Sequence, residues 1–147
     1  MDERVQKLKT PKDCERFARN VIQKNPALAQ EARRRAVELR ASAHGAQSPV
    51  EIEALQAVYA YEEVLSVKHG RRTRASRTWP MIERHGIIEA IERVVKRKDE
   101  TAGYTALVEM GMQDLAFEAV VLRYPEAFSQ EAIAKSRERL RGWTTLA

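Results

Sequence analysis

Apolar residues recur along this chain at helical spacing, and no stretch alternates with the period of two that a half-buried strand needs. Thr10-Pro11 pairs an N-cap with a proline at the first helical position. Cys14, Phe17, Ala18, Val21 and Ile22 then return at i, i+3, i+4, i+7 and i+8, the stripe of a helix with one buried face. Asn25-Pro26 repeats the start signal. Leu28, Ala29, Ala32, Ala36, Leu39 and Ala43 mark the second helix, and Gly45 can end it. Only Lys24 to Pro26 separate the two helices, so they should pack antiparallel as a hairpin. Ser48 and Glu51 have capping-box spacing and open a third helix that runs to about Lys68. Leu55, Val58, Tyr59, Tyr61, Val64 and Leu65 cover more than half of its circumference, which predicts a central position. His69-Gly70 ends it.

Thr78-Trp79-Pro80 begins a fourth helix, with Met81, Ile82, Ile87, Ile88, Ile91, Val94 and Val95 on its apolar face. Gly86 in its middle costs about 1 kcal/mol relative to Ala, so a kink or a break into two short helices is expected there. Lys96 to Glu100 form a charged connection. A fifth helix spans about Thr101 to Met110, and Gly111 turns it into a sixth that carries Leu115, Ala116, Ala119, Val120, Val121 and Leu122. That element is apolar nearly all round and should be deeply buried. Ser129 caps a last helix with a thin stripe of Ile133, Leu140 and Trp143. The expected fold is all-α: one domain over residues 1–147, a compact bundle of about seven helices built from antiparallel helix hairpins. Phe17, Leu55, Val58, Ile88, Ile91, Leu115, Ala119 and Leu122 are its expected core. The Trp, Leu-Gly and Tyr spacing of a tetratricopeptide repeat is absent.

Composition removes several classes. With 147 residues, 44% hydrophobic and 32% charged, the chain has enough apolar side chains to fold. No apolar run approaches the ~18 residues of a membrane span, so no membrane partner is expected. The Met1-Asp2-Glu3-Arg4 start lacks the apolar segment of a secretory signal, which predicts a cytoplasmic protein. One cysteine and three histidines supply neither an internal disulfide nor a zinc ligand set, and neither a metal nor a cofactor is expected.

Charge changes the picture most. The net charge of +5 resides in the ten residues Lys68 to Arg77, which hold five cations and no acid; outside them cations and acids balance at 21 each. Guanidinium groups give forked bonds to phosphate and hydroxyls add short ones. The loop then enters a helix at Thr78, where free N–H groups and the positive dipole end attract anions. Lys68, Arg71, Arg72, Arg74, Ser76, Arg77 and Thr78 are therefore the expected phosphate contacts. The bland alternative is a solvated loop whose arginines pair with Glu62, Glu63 or Glu83.

Weaker candidates surround that segment. Arg33-Arg34-Arg35 fan around a helix at about 100° per residue, with Glu31 and Glu38 in pairing range, so they are at most a secondary binding set. Trp79 could stack on a base, but anchoring the loop to the bundle is the plainer role. His85 has Glu89 four residues on, yet no metal or catalytic motif accompanies it. Glu62 and Glu63 are adjacent and should diverge on their helix. Cys14 falls on an apolar stripe, where a thiol is inert. The low aromatic content of 6% disfavours a single-strand stacking platform. The expected function is nucleic-acid binding, with duplex DNA favoured. The alternative is a helical module whose basic loop docks an acidic protein partner. A nucleic-acid-processing enzyme ranks third, since no residue set points to catalysis.

Overall fold

The computed structural model describes residues 1–97 and 101–146; Lys98, Asp99 and Glu100, in the expected charged connection, lie outside the described residues. Nine α-helices and no strand occur among the described residues. In chain order they are α1 (Glu3–Gln6), α2 (Pro11–Val21), α3 (Pro26–His44), α4 (Pro49–His69) and α5 (Thr78–His85), then α6 (Ile87–Lys96), α7 (Thr101–Glu109), α8 (Phe117–Arg123) and α9 (Gln130–Leu146). The all-helical bundle is as expected, with two helices more than the expected seven. None is long and apolar enough to cross a membrane.

The N-caps work as their residue types dictate. Thr10 Oγ1 accepts from the Asp13 N–H, Asn25 Oδ1 from Leu28, and Ser48 Oγ from Glu51. Each satisfies one of the donors that a helix start leaves without a partner. Gly70 ends α4 at φ 70°, a left-handed conformation that a side chain would oppose.

One of the two additional helices comes from Gly86. It sits at φ 85° and ψ 163°, a combination essentially reserved for glycine, so α5 and α6 are separate rather than one kinked helix. The other is α1, a single turn capped by Asp2. Its Val5 is fully buried against Ala18, Leu28, Ala29 and Ala32. One apolar residue in a charged tetrapeptide has no periodicity to read, which is why α1 escaped the sequence.

α2 packs on α3 as the expected hairpin, and α4 is central, packing against α3, α6, α7 and α8. Leu55 and Val58 of α4 meet Ile91 and Val95 of α6, Val121 of α8 and Ile133 of α9 in the main core. A second cluster joins Val37, Ala60, Val64, Leu107, Met112 and Leu115. The sixth helix starts later than expected. Gln113–Leu115 is a 3₁₀ turn and Ala116 is extended, so Leu115 is buried in the turn rather than on α8. Of the expected core, Leu55, Val58, Ile91 and Leu115 are buried, whereas Phe17, Ile88, Ala119 and Leu122 are half-buried at the cluster edges.

Candidate functional site

The basic segment is a folded loop, and α4 holds it. Glu62 and Ser66 are four residues apart and so share one face of α4. Ser66 Oγ accepts from the Thr73 N–H at 2.9 Å, and the Ser66 carbonyl accepts from the Arg71 N–H at 3.2 Å. Glu62 is fully buried and receives four donors. Arg72 lies at 2.5 Å on Oε1, while Arg74 Nε at 3.1 Å, the Ala75 N–H at 2.8 Å and Trp79 Nε1 at 2.5 Å converge on Oε2. A buried acid is tolerated only when so completely matched.

Trp79 is the loop's anchor. Its ring stacks on His44 with centroids 5.6 Å apart, lies 5.2 Å from Tyr59, and carries the Arg74 guanidinium 5.1 Å above it. The indole is therefore engaged on both faces and at its nitrogen, in the plainer of the two roles expected for it.

The seven expected phosphate contacts divide into three groups. Lys68, Arg71, Ser76 and Arg77 are exposed, and no described acid pairs with Lys68, Arg71 or Arg77. Arg72 and Arg74 are exposed too but bind Glu62, and Arg72 also lies 3.8 Å from Glu15. Thr78 is buried. Part of what the helix start was expected to offer goes with it. The N–H groups of Thr78 and Trp79 both donate to the Ala75 carbonyl, at 3.0 and 3.2 Å, and Pro80 has none. Two of the backbone donors at the start of α5 are thus spent inside the turn.

Arg33, Arg34 and Arg35 do not join the loop as a second binding set. Arg33 is buried 3.6 Å from Glu63. Arg34 forks onto Asp114, at 2.5 and 3.1 Å, and reaches the Gly111 carbonyl at 2.9 Å, tying α3 to the turn after α7. Arg35 points to the Leu8 carbonyl at 3.4 Å. Fanning around the helix sends each guanidinium to a different neighbour.

Glu63 points about 100° away from Glu62 around α4, as adjacency on a helix requires. Burial, then the hydrogen bond and charge of Glu15, push its carboxyl up to about 8. Burial also acts to raise Glu15, but the hydrogen bond to Glu63 and the Arg40 and Arg72 guanidiniums outweigh it and hold it low. The pair thus holds one proton in a setting of three arginines. Burial pushes the Cys14 thiol up to about 11, far from a reactive thiolate. His85 and Glu89, expected on one helical face, are split between α5 and α6 by Gly86. Among the described residues no group of three His, Cys, Asp or Glu is placed to hold a metal.

The sequence alternative that the loop arginines pair with Glu62 holds for Arg72 and Arg74, but that Glu62 also gathers the Ala75 N–H and Trp79 was not foreseen. The signal was there: two acids in the middle of a helix otherwise apolar nearly all round, ahead of a run of cations without an acid. Compared with protein-family models, curated proteins and solved structures, the chain has no match.

Proposed function

We propose that the protein binds the phosphate backbone of nucleic acid, duplex DNA in preference, through Lys68, Arg71 and Arg77. The observation that carries this reading is that these three cations are exposed, unmatched by any described acid, and close together in sequence: Lys68 in the last turn of α4, and Arg71 and Arg77 in the following loop, whose backbone is tied down by Glu62 and Ser66. A preorganised loop loses little conformational entropy on binding. Phosphate contacts alone position a protein without reading sequence, so affinity should be alike on all duplexes. Each contact releases about one condensed counterion, with a slope of log affinity against log salt near −0.9 per contact. Three contacts give a slope of about −3, against about −4 to −5 had all five cations of the segment taken part.

The test is fluorescence anisotropy on a random-sequence duplex across a salt series. A slope near −3 that is the same for unrelated duplexes supports the reading. No binding at low salt would overturn it. Binding of an acidic polypeptide by the same three side chains, with none to the duplex, would assign the loop to a protein partner instead.

A further inference from the structure

A cavity of about 600 Å³ opens between α4, residues 73–78, α7 and α9. That volume lies within the range of pockets that enclose small organic ligands. Four rings stand in its lining. Tyr104 stacks on Trp143 with centroids 5.0 Å apart, and Tyr61 is tilted against Phe117 at 6.1 Å. Aromatic rings set in a lining that is about half polar favour a flat ring with polar edges.

The charges of the lining are lopsided. Four arginines and His69 stand against one described acid, Glu118. Arg139 is matched, 3.2 Å from Glu118, and Arg74 is held by Glu62. Arg77 and Arg97 remain: both are exposed and neither pairs with a described acid, although Arg97 Nη2 also lies 3.1 Å from Met81 Sδ, a weak acceptor that a phosphate would displace. Guanidinium forks fit the oxygens of a phosphate better than any other compact anion except a carboxylate. A ligand with a planar ring at one end and a phosphate at the other uses both features of the cavity.

We propose that this cavity binds a nucleoside monophosphate group, its base against the aromatic walls and its phosphate at Arg77 and Arg97. The group could be a free nucleotide or the unpaired 5′-phosphorylated end of a strand. The site shares Arg77 with the duplex contact but does not rest on it.

Gly103 offers the means of testing it. It lies in α7 on the cavity wall, and a side chain begun there meets nothing within 4 Å. Replacing it also removes a weak helix former, so Gly103→Phe fills space without an expected loss of fold. Calorimetric titration of the full chain with adenosine 5′-monophosphate should give saturable binding, at least tenfold tighter than adenosine or inorganic phosphate alone. Gly103→Phe and Arg97→Glu should each weaken it at least tenfold, while melting and the salt slope on duplex DNA stay as in the parent. Competition by a short 5′-phosphorylated single strand would identify a strand end as the source; binding of the mononucleotide without such competition would identify a free nucleotide. No saturable binding of the mononucleotide, or binding that both variants leave unchanged, would overturn the proposal. A lost duplex salt slope with intact mononucleotide binding would count against the loop reading alone.

Discussion

Two stretches of this chain concentrate cations, Arg33–Arg35 in α3 and Lys68–Arg77 from the last turn of α4 to the start of α5, and they put them to different uses. In α3 all three guanidiniums turn to internal partners: Glu63, Asp114 with the Gly111 carbonyl, and the Leu8 carbonyl. In the later stretch all five cations are exposed and the set divides by pairing, with Arg72 and Arg74 bound to Glu62 while Lys68, Arg71 and Arg77 pair with no described acid. Cation density along a sequence therefore measures neither surface charge nor binding capacity. Acids on neighbouring elements decide that, and a single buried carboxylate can claim two cations of a run.

The largest effect should come from removing that carboxylate. Glu62→Ala leaves two guanidiniums, the Ala75 N–H and the Trp79 indole nitrogen without their acceptor. The guanidiniums can turn to water, so the cost falls chiefly on the stranded Ala75 N–H and Trp79 indole nitrogen, at about 1–3 kcal/mol each. Urea denaturation should show a loss of this size, and a loss below about 1 kcal/mol would mean that the loop does not depend on Glu62.

The neighbouring acid makes a separate, pH-dependent prediction. Glu63 holds its proton to about pH 8 in the folded chain, whereas its ordinary value is 4.5. Between those values the folded state binds the extra proton, so stability is greatest at the acid end of that window and falls as pH rises towards 8. Glu15 is held low and acts in the opposite sense, its contribution being lost only as pH drops below the ordinary carboxylate range. Denaturation midpoints should therefore decline from pH 5 to pH 8, and Glu63→Gln should flatten that decline. A variant with the parent's slope would refute the shared proton.

Arg34 should matter least. Its pair with Asp114 is half-exposed, with side chains 31% and 53% accessible, so Arg34→Ala should cost about 1 kcal/mol, mostly through the lost bond to the Gly111 carbonyl. A calorimetric melt resolves a change of that size.

How much of this was legible follows from which signals are local. Thr10-Pro11, Asn25-Pro26, Ser48 with Glu51, Gly70 and Gly86 act through their own backbone, and the helix boundaries they mark stand close to where the sequence puts them. The burial of Glu62 and Glu63 is a tertiary fact. Nothing in residues 49–69 alone says that the following loop and the start of α5 will supply three donors and one, respectively, to a single carboxylate. Leu115 shows the same limit in the core, since an apolar run does not reveal that Ala116 is extended and that the turn before α8 is 3₁₀. The trio that pairs with no described acid could be listed from sequence but not separated from Arg72 and Arg74, because all five cations lie within one ten-residue run.

The division of the loop is the central claim, and paired variants test it most directly. In Lys68→Ala/Arg71→Ala/Arg77→Ala, unfolding free energy should stay within about 0.5 kcal/mol of the parent, as for surface positions, and the salt slope on duplex DNA should fall from about −3 to near zero. In Arg72→Ala/Arg74→Ala the stability should drop by about 3–5 kcal/mol, because Glu62 is left buried without its charged partners, and the folded fraction should keep the parent's slope. The reverse pattern, with stability lost in the first variant and the salt slope lost in the second, would contradict it.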